Sequence, residues 1–497
     1  MNKSFIGYAG LFCLAFLSVF FFSVVGALGQ EKPAVPRFER SECAVQPPEG
    51  IKAECGNLFV RENRRKKSGR TIRLPVIIIK STSVNPAPDP VFYTAGGPGA
   101  GSLGRARGAN HLAAFTKDRD FILFEQRGTG YAEPVLQCPE VDLANQESAR
   151  QNLSAEDALR REARAAKTCR DRLAAGGIDL SAYDSAASAA DMEDLRRTLG
   201  IKRWNLYGIS YSTRLMLNYI REYPQSVRSV ILDSVLPTSV NWDETGVDGV
   251  VNALNLLFAD CARDKKCSAA HPDLEKKFYR LIESANEKPI VVEAVKDGKT
   301  YPVKLNGNAI FDFFYNMMER TGALDRIPAM IDAQSGGDYS SLKSYAEDKV
   351  SGRGFIWGMR YSVWCREEMP FQDQKKIAAQ AEKYPFIRGF KIQGAFPEIC
   401  RAWDVPPAPK IENRPVKSDV PALIFAGKYD PDTPPAWGRL VASWFSHSFF
   451  YEVEGTSHGV LFSRRCAVEE ITASFLDDPV RKPDDACISE IPPLDFK

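Results

Sequence analysis

The sequence predicts an α/β protein on a mostly parallel sheet, split by a large helical insertion, and three observations carry that expectation. Strand-like and helix-like stretches alternate up to residue 235, the rhythm of strands joined through helical crossovers. From about 240 to 415 the rhythm changes to long helical patterns, and after 415 the alternation returns. Between a short strand at 203–207 and a helix at 215–223 stands Ser210, with small residues Gly208 and Ser212 two positions to either side. A turn that tight tolerates only small neighbours and lifts the serine hydroxyl clear of the sheet.

The chain has 497 residues, more than one ordinary core holds, so a domain with an insertion is expected. Net charge is +2 and composition is 44% hydrophobic and 26% charged, a balance that asks for no nucleic-acid partner. Residues 1–29 read as a secretory signal: Lys3 precedes an apolar run over 5–25, and Ala27 and Gly29 form a cleavage pair before Gln30. The run is also long enough to span a bilayer as an uncleaved anchor; after cleavage no membrane partner is expected. Of eleven cysteines Cys13 lies in this segment, leaving an even ten, as suits an exported, disulfide-bonded chain in the periplasm or outside the cell. Pairing neighbours in order gives five local bridges, although spacing alone does not fix connectivity. No C-x-x-C spacing occurs and no histidine flanks a cysteine pair in a ligand-like pattern, so no metal is expected.

Taken in order, residues 31–50 are a proline-rich lead-in, and 56–61 and 71–80 read as strands. Between these strands Arg64-Arg65-Lys66-Lys67 reads as a solvated hairpin tip. A strand at 90–94 ends in Ala95-Gly96-Gly97-Pro98-Gly99-Ala100-Gly101-Ser102, whose glycines let backbone N–H groups approach a ligand; no G-K-[ST] follows to make it a phosphate loop. Strand 120–124 leads into Glu125-Gln126-Arg127-Gly128-Thr129-Gly130. A helix at 154–175 starts on Ser154 and ends at Gly176-Gly177, and a second at 185–199 ends at Gly200. Strand 227–233 follows the elbow helix. The organisation is therefore a first core part (30–238), a helical lid (239–415, with helices at 250–261, 274–285 and 308–318) and a second core part (416–497). The last part holds strands at 422–426 and 448–453 and helices at 435–444 and 467–476.

A serine hydroxyl becomes a nucleophile when a histidine, oriented by a carboxylate, takes its proton. Only four histidines are present, and His458 alone lies in a glycine-flanked loop just after a strand. The acid is Asp430, in the loop after strand 422–426 and 28 residues before His458, with Asp432 as its rival. Each has a plainer reading: the serine caps a helix, the aspartate forms a turn, the histidine is solvated. Together they fall at the carboxyl ends of successive strands in the order Ser, Asp, His. The oxyanion formed on attack needs two N–H donors, assigned to Tyr211 just past the nucleophile and to Gly97 in the glycine loop.

The motifs Ala95-Gly96-Gly97-Pro98-Gly99, Glu125 to Gly130, Gly208-Ile209-Ser210-Tyr211-Ser212, the Asp430 loop and Gly455-Thr456-Ser457-His458-Gly459 resemble the prolyl iminopeptidase and tripeptidyl aminopeptidase family. The resemblance covers about 90–235 and 415–465, with the lid matched only loosely, and departs from the family pattern at Ala95, Glu125 and Ser212. It implies the α/β-hydrolase fold with a helical lid, a serine peptidase acting on peptide N-termini through an acyl-enzyme, and no cofactor. An exopeptidase needs an anionic group for the substrate ammonium, and Glu367 and Glu368 in the lid are candidates against the plainer reading of a solvated pair. Phe355, Trp357 and Trp364 are candidates for the pocket wall. An esterase or lactonase with the same triad is the first alternative, and a non-catalytic hydrolase-like binding protein the second. Oligomeric state is not legible in the sequence.

Overall fold

Strands β1 (Arg37–Arg40), β2 (Ala53–Arg61), β3 (Thr71–Ile79), β4 (Val91–Thr94), β5 (Phe121–Phe124), β6 (Trp204–Ser210) and β7 (Val227–Val235) build most of one sheet in the computed structural model. The model describes residues 34–66, 69–352, 354–387, 390 and 396–497. A hairpin of β8 (Ile290–Lys296) and β9 (Lys299–Leu305) stands apart. Strands β10 (Ala422–Gly427) and β11 (Ser448–Val453) complete the main sheet. Its order is β1-β2-β3-β5-β4-β6-β7-β10-β11, antiparallel from β1 to the β3–β5 pair and parallel from β5 to β11. β4, β5 and β10 are buried throughout, as expected of parallel strands covered on both faces. One face carries Phe92, Trp204, Leu206 and Ile424, the other Tyr93, Tyr207, Ile231 and Phe425, the period of two that a strand imposes.

Between β7 and β10 lie helices Trp242–Arg263, Leu274–Glu287, Gly307–Met318 and Trp357–Glu367, with shorter ones. The β8–β9 hairpin breaks the expected all-helical pattern. Asp297 and Gly298 sit at its tip with φ of 50° and 72°, as a tight hairpin turn requires. The C-terminal helix begins as a π-helical stretch, Cys466–Thr472, and continues as Ala473–Asp477.

Five disulfides join Cys43–Cys55, Cys138–Cys169, Cys261–Cys267, Cys365–Cys400 and Cys466–Cys487, each cysteine bonded to its neighbour in sequence. The basic tip is the exposed hairpin tip expected, with Arg64, Arg65 and Lys66 at the surface between β2 and β3. Arg64 pairs with Asp191 and with Asp194, and Lys66 lies 2.7 Å from Asp179, so these cations bind the tip to the neighbouring helix and its approach. The signal expectation for 1–29 lies outside the described residues. Among the described residues no helix is long and apolar enough to cross a membrane.

Candidate active site

β6 ends on Ser210, whose backbone has φ 57° and ψ −133°, a conformation that a non-glycine residue adopts only under constraint. The constraint is visible two residues earlier, where a Cβ on Gly208 would fall 2.8 Å from the Ser212 carbonyl oxygen. Ser212 replaces a second glycine without disturbing the turn: it is buried, accepts from the Ile209 N–H at 2.8 Å and donates to the Ile209 carbonyl at 2.8 Å.

The glycine loop presses directly on this elbow. A Cβ on Gly96 would meet the Ile209 carbonyl at 2.7 Å and the Ser210 Cβ at 2.9 Å, so only glycine allows the approach. Gly97 follows with φ 116°. The loop is held by the Glu125–Gly130 segment. Gln126 donates to the Ala95 carbonyl at 2.6 Å and to Thr94 Oγ1 at 3.0 Å. Glu125 accepts from the Ser102 and Leu103 N–H groups at 3.1 and 3.3 Å and from Thr129 Oγ1 at 2.7 Å. Burial raises the Glu125 carboxyl above its ordinary range. Arg127 forks onto both oxygens of Asp191 at 2.7 Å, fastening the same segment to helix Ser185–Thr198.

His458 and Asp430 meet across the loops after β11 and β10. The Nδ1 of His458 lies 3.1 and 3.0 Å from the two Asp430 oxygens. Asp430 also accepts from the N–H groups of Asp432 and Thr433 at 2.9 Å each and from Thr433 Oγ1 at 2.8 Å. Burial pushes its carboxyl up, but the His458 imidazole and these donors hold it below the usual carboxylate range. For His458 burial alone would lower the pKa; Asp430, Asp432 and Glu319 outweigh it and raise the imidazole to about 10. Asp432 is not the imidazole's hydrogen-bond partner: its side chain accepts from Tyr315 Oη at 2.5 Å.

Sequence reasoning passed over Asp233, although an acid ending an apolar strand is a visible signal. Its carboxylate accepts from the Val460 and Leu461 N–H groups at 3.0 and 2.9 Å, and Ser234 Oγ accepts from the Gly459 N–H at 2.9 Å. The His458 loop is thereby tied to the end of β7. Burial raises the Asp233 carboxyl to about 6.

Ser210, His458, Gly97 and Tyr211 line one cavity of about 130 Å³, completed by Leu236, Asp432 and Thr433 and, from the insertion, by Trp242, Tyr315, Glu319, Arg360 and Trp364. Trp364 stands where expected. Phe355 instead packs near Gly99, and Trp357 donates to Asp142 at 2.9 Å; neither lines this cavity. Arg360 sits over the Trp364 ring at 4.0 Å and donates to the Gly97 carbonyl, joining the insertion to the glycine loop. Burial, followed by the nearby Asp432 carboxylate, keeps the Glu319 carboxyl protonated well above its ordinary range.

Glu367 and Glu368 require a correction. They are 0% and 1% exposed and do not line the cavity. Glu367 accepts from the Ser185 N–H at 2.6 Å and its hydroxyl at 2.7 Å; Glu368 lies 2.6 Å from Arg214 and accepts from the Trp242 N–H at 3.1 Å. They are neither a solvated surface pair nor open to a substrate ammonium, because Arg214 and backbone donors already occupy them. Among the described residues no group of three or more His, Cys, Asp or Glu is placed to hold a metal ion.

A family model described as the α/β hydrolase fold matches residues 89–464. The chain is 24% identical over 515 aligned residues to the serine protease Hip1 of Mycobacterium tuberculosis, covering 94% of each chain. It is 30% identical over 210 residues to the tripeptidyl aminopeptidase of Streptomyces lividans, covering 39% of this chain and 38% of the relative. The solved structure of proline iminopeptidase from Mycobacterium smegmatis superposes with a TM-score of 0.37 at 12% identity, covering 85% of this chain and 99% of the other. The family match runs from the strand before the glycine loop to just past His458, and the chain is a hydrolase that belongs to the α/β hydrolase fold family.

Proposed function

We propose that the protein is a serine exopeptidase that releases residues or short peptides from peptide N-termini through an acyl-enzyme. Ser210 Oγ attacks the scissile carbonyl as His458 takes its proton. Asp430 holds the imidazole by Nδ1 and stabilises the imidazolium that forms. The N–H groups of Gly97 and Tyr211 receive the oxyanion. His458 then gives the proton to the leaving amine, and water, activated by the same imidazole, frees the acyl group.

The observation that carries this reading is the acidic pair in the small cavity over Ser210. Glu319 and Asp432 line it with the nucleophile and the base, replacing Glu367 and Glu368 as the candidate anchor for the substrate ammonium. Burial and the neighbouring Asp432 favour the protonated form of Glu319, and an arriving ammonium supplies the positive charge that lets Glu319 ionise. At about 130 Å³ the cavity is small beside ligand pockets of roughly 300–1,000 Å³, room for the end of a peptide. The segment 239–415, which supplies Glu319, Trp242, Arg360 and Trp364, acts as the lid. The five bridges support export to the periplasm or beyond.

Labelling by a fluorophosphonate probe that disappears in Ser210→Ala, with a peptide-library digest showing products shortened only from the N-terminus, is the expected outcome. Rapid turnover of nitrophenyl esters with no cleavage of aminoacyl nitroanilides would replace this reading with the esterase one. No labelling at all would favour a non-catalytic binding protein.

A further inference from the structure

A second cavity, of about 530 Å³, opens over β4, β5 and β6 between residues 103–116 and the segment 460–469. Its floor is aromatic: Tyr93, Phe115, Phe121 and Tyr207. Tyr93, Arg105 and Phe462 also belong to an open groove lined by Gly97, Ser210 and His458. This open cleft thus borders both cavities: it shares Gly97, Ser210 and His458 with the acidic one and Tyr93, Arg105 and Phe462 with the aromatic one.

The charged side chains lining this second cavity are Arg105, Arg464 and Arg465, with one acid, Glu469, which pairs with Arg465. Arg105 donates from Nε to Tyr93 Oη at 2.6 Å, and its guanidinium lies 3.7 Å over the Phe462 ring. Arg464 spends its donors on Thr456 Oγ1 and backbone carbonyls. Among the described residues no carboxylate pairs with Arg105 or Arg464, whereas Arg465 nearby is neutralised by Glu469 at 2.8 Å. Tyr207, only 2% exposed, lines the cavity, and its buried hydroxyl has no hydrogen-bond partner among the described residues. A buried hydroxyl in that state is a donor awaiting an acceptor.

A peptide bound with its ammonium on Glu319 and Asp432 and its scissile carbonyl at Ser210 sends its leaving side the other way along this cleft. We propose that the aromatic cavity binds the leaving fragment, with an aromatic or large apolar side chain against Tyr93, Phe115 and Tyr207 and a free carboxylate on Arg105. Charge is thus complementary at both ends of a short peptide: acids for its ammonium, an arginine for its carboxylate. The inference rests on the exopeptidase reading and adds a substrate class to it, short peptides ending in an aromatic residue with a free carboxyl group.

The test compares kcat/KM for substrates that share the acyl part and leave phenylalanine, phenylalanine amide or nitroaniline. Wild-type protein is expected to prefer the free acid over the amide by about tenfold, the scale of one charge-assisted hydrogen-bond pair. Arg105→Gln is expected to bring that ratio close to one, and Ala114→Trp, which projects an indole into the cavity, to lower turnover of both phenylalanine substrates relative to the nitroanilide. Thermal melts of both variants establish that they fold. Equal wild-type cleavage of acid and amide, with nitroanilide cleaved, overturns the leaving-side site and leaves the peptidase reading standing. Absence of cleavage of all three overturns the peptidase reading itself.

Discussion

Asp430 and Asp432 are two residues apart, yet the backbone gives them different tasks, and single substitutions separate them. Asp430 faces His458 Nδ1, so Asp430→Asn removes the charge that steadies the imidazolium and favours the wrong tautomer. Turnover is expected to fall by about three to four orders of magnitude with the protein still folded, as read by steady-state kinetics beside a thermal melt. Asp432 faces the cavity and acts on His458 through its field. An imidazolium cannot accept the Ser210 proton, and His458, its pKa raised to about 10, holds its own at neutral pH. Toward a substrate without an ammonium, kcat/KM is therefore expected to climb as pH rises from 7 toward 10. Asp432→Asn withdraws negative charge from the imidazolium, which lowers the histidine pKa and moves that limb toward neutrality. A limb that stays in place in the variant would show that the Asp432 charge does not reach the base.

The His458 loop depends on its tether to β7, and Asp233 is the test of that tether. Asp233→Ala frees the Val460 and Leu461 N–H groups and leaves the imidazole poorly held. A loss of about ten- to a hundredfold in kcat with little change in KM is the expected outcome, since misplacing a catalytic group penalises the transition state more than binding. An equal loss in both constants would point instead to a deformed pocket. The elbow, the glycine loop and the His458 loop were legible in the sequence because each needs special backbone: Gly96 lies too close to Ser210 for a side chain, and Gly208 too close to the Ser212 carbonyl. Paired positions far apart were not legible. Nothing near Glu367 or Glu368 in sequence announces Arg214, and nothing near Glu319 announces Asp432, because those meetings are made by tertiary packing alone. The β8–β9 hairpin is a different kind of miss. Its Asp297-Gly298 turn and alternating burial were local signals, overridden by the helical pattern on either side.

Across the molecule, the insertion meets the helices Ser185–Thr198 and Tyr211–Glu222 through a buried charge cluster: Glu367, Glu368 and Glu412 on one side, Arg214 and Asp184 on the other, with Arg366 2.9 Å from Asp184. Acids outnumber arginines there, so protons remain. Burial raises Glu368 to about 7; burial and the nearby Glu367 and Asp184 carboxylates raise Glu412 to about 9. Both values lie above those of the unfolded chain, so the folded state binds more protons between roughly pH 4.5 and 9, and these groups cost stability as pH rises through that window. Melting temperature is expected to decline from pH 5 to 9, and Glu412→Gln, which copies the protonated form, to flatten the decline; an unchanged slope would remove Glu412 from the account. The bridges carry a consequence of another kind. Because each of the ten cysteines among the described residues bonds to its neighbour along the chain, each one, delivered amino end first into an oxidising compartment, meets its correct partner before a later wrong one has arrived. A simple oxidant acting during delivery therefore suffices, and secretion in cells lacking a disulfide-shuffling enzyme should yield as much active protein as in cells that have one.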